Sequence, residues 1–112
     1  MGSYSGHFPL AVTQSHHFNG KHCLILTDNG RGGFPNSGYA VLSDLYNTGG
    51  GFQIIGNTLL VTLSNSSGGN QVGLVFSAPA SSGFFGVGVY DDVYSGSASD
   101  VGKVVFGTKG AC

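Results

Sequence analysis

The sequence predicts an all-β protein, an eight-stranded antiparallel up-and-down barrel, with a two-sheet β-sandwich as the alternative. Three observations predict it. Apolar and polar residues alternate with a period of two in several short runs. Turn signals rich in Gly, Asn and Ser separate those runs every 8–14 residues or so. Good helix formers are scarce: Glu is absent and Gly fills 21 of 112 positions. Most connections are short enough for hairpins, which favours a meander over a Greek key, and closing the meander removes its exposed edges.

The elements follow in order. Residues 8–13 (FPLAVT) form a first strand, with Pro9 near its start as edge and first strands allow. Asn19-Gly20 is a hairpin turn signal, and residues 21–27 (KHCLILT) follow as a strand. Its alternation puts His22, Leu24 and Leu26 on one face, and Cys23 and Ile25 on the other. Asp28-Asn29-Gly30 reads as a turn opening a long loop, because Asp and Asn close turns with their own side chains. Residues 39–43 form the third strand, and the three glycines of the loop at 44–51 argue against regular structure there.

The stretch 51–78 is the centre of the meander. Gly56-Asn57 joins strands 52–55 and 58–64 through a primed turn, and NSSGG at 65–69 leads into a strand over 71–78. Leu59, Val61 and Leu63 share a face with the expected partners Val72, Leu74 and Phe76, which together define the core. Pro79 ends that strand, since it has no N–H for a ladder. Residues 84–90 make a strand with Gly86 and Gly88 between its inward positions. Residues 91–100 (DDVYSGSASD) are a polar loop, or a continued strand followed by a turn, and 101–107 is the last strand. Residues 1–112 read as a single all-β domain.

Charge narrows the function. Only 8% of residues are charged, against roughly 25% in average proteins, and the net charge is −1. Without a basic stripe to neutralise phosphates, a nucleic-acid partner is disfavoured. No apolar run approaches the ~20 residues of a membrane-spanning helix, and the strands are shorter than those of outer-membrane barrels. Apolar residues also occur opposite the core set, at Leu60, Val75 and Phe84. With so few charges to keep a surface wet, that second face points to a homo-oligomer.

Cys23 and Cys112 are read either as a disulfide closing a large loop or as two free thiols. The pairing suits a secreted or periplasmic protein. The start MGSYSGHFPL holds no signal peptide, and Met1-Gly2-Ser3 reads as a replaced start with an export signal lost from it.

Catalytic patterns are weak. The five Asp are nearly all accounted for by turns, G-x-S-x-G does not occur, and the Gly run at 30–38 lacks the Lys of a phosphate loop. No cofactor is expected. For metal, His17 and His22 flank the Asn19-Gly20 turn and could meet across a hairpin, while Asp91 and Asp92 with Asp100 offer oxygen ligands for Ca²⁺. Both lack a known ligand spacing, so solvent-facing histidines compete with the first and turn residues with the second. Binding fits better. Phe34, Tyr39, Tyr46, Tyr90 and Tyr94 lie in or beside Asn-, Ser- and Gly-rich loops, where aromatic platforms and adaptable hydrogen bonds suit a small molecule, a glycan or a protein. The expected function is therefore a non-enzymatic exported binding protein. A self-assembling structural subunit is the first alternative, and a small barrel isomerase or cyclase the second.

Overall fold

A computed structural model describes residues 4–13, 20–30, 36–43, 48–65, 71–77, 79–80, 83–84, 87–94, 98–106 and 110–112. Six strands in chain order build a curled antiparallel sheet, a half-barrel: β1 (Gly6–Thr13), β2 (Gly20–Asp28), β3 (Ser37–Leu42), β4 (Thr48–Ile55), β5 (Thr58–Asn65) and β6 (Gln71–Ser77). Each strand pairs antiparallel with the next, so this part of the chain is the expected meander, in one sheet rather than two. Beyond it, β7 (Pro79–Ala80) pairs with β8 (Gly83–Phe84), and β9 (Val87–Tyr94) pairs with β10 (Ala98–Phe106). No helix occurs among the described residues.

The alternation read from sequence sets the faces. Phe8, Leu10 and Val12 of β1, Leu24 and Leu26 of β2, Ala40 and Leu42 of β3, and Phe52 of β4 face the concave side. Leu59, Val61 and Leu63 of β5 and Leu74 and Phe76 of β6 complete one buried cluster. The expected core residues Leu59, Val61, Leu63, Leu74 and Phe76 are all in it, and Val72 takes its register place opposite Leu63. Each buried Leu, Val or Phe of the cluster contributes about 1.5–3 kcal/mol by leaving water.

Several boundaries differ from the sequence reading, and one alternative is decided. The three glycines at 49–51, assigned above to a loop, lie inside β4, paired with β3 on one side and β5 on the other. Their low strand propensity is overridden because both neighbours supply ladder partners, and because packing leaves no room at one of them. A Cβ on Gly50 would fall against the Thr62 carbonyl oxygen, and one on Gly38 of β3 against that of Thr27. The expected strand over 84–90 is divided, Phe84 belonging to β8 while β9 starts at Val87. At 91–100 the continued-strand reading holds: β9 runs on to Tyr94, and β10 begins at Ala98.

Asp28 is not a turn residue. It ends β2 on the concave side, buried, and clamps the N-terminal segment to the sheet. The Tyr4 amide donates to its carboxylate (3.3 Å), and its own amide donates to Ser5 Oγ (2.8 Å). Tyr4 packs against the core from this end. Asp28→Ala is expected to lower the unfolding free energy by about 1–3 kcal/mol, since a partly buried N–H loses its acceptor. Asp28→Asn, which keeps an acceptor, should lose less. Urea midpoints of the two variants check this, and equal losses would contradict it.

Candidate functional site

The convex face of β3 to β6 is unlike an ordinary protein surface. Its outward positions are Tyr39, Val41 and Ser43 from β3 and the turn after it; Gly49, Gly51, Gln53 and Ile55 from β4; Leu60, Thr62 and Ser64 from β5; and Gly73 and Val75 from β6. None carries a charge. Tyr39 is 50% exposed, Val41 42%, Leu60 36% and Val75 46%, so these are wet apolar side chains and not the rim of a core. The register makes them neighbours. Tyr39 lies opposite Gly51 and Val41 opposite Gly49. On the far side Leu60 lies opposite Val75 and Thr62 opposite Gly73. Gly49 and Gly51 of β4 therefore form a low strip between Tyr39 and Val41 of β3 and the exposed Thr62 and Ser64 of β5, beyond which Gly73 lies two residues from Val75 in β6. A Cβ on Gly73 would meet nothing within 4 Å. Sequence alternation had already singled out Leu60 and Val75. It missed Gly49 and Gly51 as part of a face, because a run of glycines carries no periodic signal.

A second constellation sits on the outer side of β1 and β2. Cys23 and Cys112 form the disulfide, 89 residues apart in sequence with 5.8 Å between their Cα atoms. Cys23 lies opposite Pro9, and His7 opposite Ile25, so His7 and Cys23 are diagonal neighbours on one face. Nδ1 of His7 is 3.9 Å from Sγ of Cys23. The amide of Gly110 donates to the His7 carbonyl (2.9 Å), a second tie between the tail and β1. Among the described residues, His7, Cys23 and Cys112 are the group of three ligand-type side chains within mutual reach, all within 4.8 Å. Cys23 is buried, while His7 and Cys112 are exposed. The sequence reading pairs His17 with His22 and does not connect His7 with the cysteines. The partners of His7 are 16 and 105 residues away, beyond any spacing rule.

The other expected residues are distributed as follows. Tyr39 lies in β3, as the strand expected over 39–43 has it, and is exposed on the convex face. Tyr90 and Tyr94 lie within β9, with Tyr90 opposite Leu74 and Tyr94 opposite Ala98. Phe34 and Tyr46 are outside the described residues. His17 is also outside the described residues. His22 is half-buried on the side of Leu24 and Leu26, opposite Leu10 of β1. Asp91 and Asp92 belong to β9, and Asp92 is the register partner of Asp100 in β10.

Comparison of the chain with models of known families, with curated proteins and with solved structures finds no match.

Proposed function

We propose that the protein is a non-enzymatic binding domain of an exported protein, acting through the convex face of β3 to β6, and that a second copy of the chain occupies that face. The observation that carries this reading is an uncharged face on which Gly49 and Gly51 and, across β5, Gly73 lie low among exposed Tyr39, Val41, Leu60 and Val75. Glycines leave the sheet low, and aliphatic side chains on either side interdigitate well with another sheet about 10 Å away. An exposed apolar face in a chain with 8% charge is otherwise an aggregation hazard. The Cys23–Cys112 disulfide is compatible with an oxidising compartment outside the cytosol.

The reading includes closure of the sheet into an eight-stranded barrel. In its support, β9 pairs with β6 through Gln71–Phe76, and β10 pairs with β1 through Leu10–Thr13. A closed barrel has no free edge, so self-association would be face to face rather than by strand addition.

Sedimentation equilibrium across micromolar concentrations tests the proposal. The expected result is a dimer that Leu60→Lys combined with Val75→Lys converts to a monomer with an unchanged β-type circular dichroism spectrum. A chain that stays monomeric to ~100 µM, well above typical micromolar association, would remove the self-association reading. A glycan array would then separate the remaining ligands, because sugar stacking needs an aromatic platform and Tyr39 is the exposed aromatic on this face. Loss of array binding in Tyr39→Ala would assign the face to a glycan.

A further inference from the structure

We propose that the corner formed by His7, Cys23 and Cys112 is a redox-gated site for a thiophilic divalent ion of the Zn²⁺ type, shut while the disulfide is intact and opened by its reduction. It is separate from the convex face of β3 to β6 and independent of the function proposed for that face.

The geometry is close to what such an ion requires. Zn–S distances of about 2.3 Å and Zn–N distances of about 2.0–2.1 Å in a tetrahedron place sulfur about 3.8 Å from sulfur and about 3.6 Å from nitrogen. His7 Nδ1 already stands 3.9 Å from Cys23 Sγ. The three ligand atoms span no more than 4.8 Å. Once the S–S bond is cut, the two sulfurs need to move apart by under about 2 Å to reach that tetrahedral spacing. Rotation about the Cα–Cβ bond of the exposed Cys112 accomplishes this without moving the backbone, whose Cα atoms are 5.8 Å apart.

Two features keep the ligands together after reduction. His7 and Cys23 are fixed by the β1–β2 ladder, in which Pro9 faces Cys23 and His7 faces Ile25. The tail that carries Cys112 is held independently of the disulfide, through the Gly110 amide on the His7 carbonyl. His7 and Cys23 are thus pre-arranged on the ladder, and the Gly110 tie keeps Cys112 near them, which lowers the ordering cost of binding. One imidazole and two thiolates suit zinc, and with three protein ligands a fourth position remains for water. Exposure of His7 and Cys112 gives the ion a path from solvent, over a floor formed by the buried Cys23.

The chemistry balances in two steps. A dithiol reductant transfers two electrons and two protons to the Cys23–Cys112 bond, giving two thiols, and is itself oxidised to its cyclic disulfide. The divalent ion then binds His7 and both sulfurs, and the two thiol protons pass to buffer.

Co²⁺, a spectroscopic stand-in for Zn²⁺, supplies the test on the full chain. The protein is reduced with excess dithiol, desalted under anaerobic conditions, and titrated while circular dichroism follows the fold. Expected are thiolate-to-cobalt charge-transfer bands and tetrahedral visible bands, saturating at a single ion per chain, displaced by Zn²⁺, and absent from the oxidised protein. His7→Ala, an exposed substitution that leaves both cysteines in place, should weaken binding at least about tenfold, since loss even of an outer-shell partner costs 10–100-fold. The proposal is overturned if reduced wild-type protein gives no such bands, if His7→Ala binds as tightly as wild type, or if the β-type spectrum is lost on reduction.

Discussion

Replacing Gly38 by alanine should destabilise the fold by about 3 kcal/mol or more, near the top of the range for single substitutions. A Cβ there would press on the backbone oxygen of Thr27 and lie 2.8 Å from the Thr27 carbonyl carbon and 3.1 Å from the Asn29 amide nitrogen. All three are main-chain atoms of the neighbouring strand and the residues just after it, so no rotamer change relieves the contact. Gly50→Ala should behave alike, because its Cβ would meet the Thr62 carbonyl and the Leu63 Cα at 3.1 Å. Both glycines sit where the sheet coils tightly enough to bring a neighbouring strand under the Cβ position. Gly73→Ala, measured like the others at concentrations below self-association, is the internal control within one chain. With nothing within 4 Å of its Cβ, it should stay within about 0.5 kcal/mol of wild type or gain stability from reduced chain freedom. Guanidinium midpoints of the three variants decide the matter, and a Gly38→Ala protein as stable as Gly73→Ala would refute the close approach.

The second large effect is loss of the disulfide. Joining residues 89 apart removes about 4–5 kcal/mol of chain entropy from the unfolded state in the loop-closure model, and native disulfides typically deliver 2–5 kcal/mol. Cys23→Ser with Cys112→Ser should lower Tm by about 8–20 °C, taking 2–5 kcal/mol and about 4 °C per kcal/mol for a domain of this size. The fold should survive at 25 °C, because the buried cluster from Phe8 to Phe76 does not depend on the cross-link. An unchanged Tm would mean that the pair contributes nothing to the folded protein. Adding Zn²⁺ to reduced wild-type protein should recover part of the loss, whereas the double serine variant should not respond, since only a ligand that binds the folded state raises its stability.

How much of this was legible in the sequence depends on what kind of contact each residue makes. The core of β5 and β6 could be read directly: Leu59, Val61 and Leu63 alternate with Leu60, Thr62 and Ser64, and a period of two has one structural meaning. The outward exposure of Leu60 and Val75 followed from the same alternation. The Gly49–Gly51 run could not be read this way, because glycine carries no side chain to mark a face and its local preference is for turns. Asp28 looked like a turn opener because Asp-Asn-Gly usually is one. Its role came instead from Tyr4 and Ser5, more than 20 residues earlier.

The sequence by itself determined the all-β class, the order of the first six strands as a meander, and the apolar character of both faces of the sheet. Alternation and turn chemistry are local, and local patterns suffice for these. Only the tertiary structure decided which glycines are structural, and that His7 joins Cys23 and Cys112 in one corner. Each of those depends on which strands lie side by side and in what register, a long-range pairing that spacing along the chain does not encode.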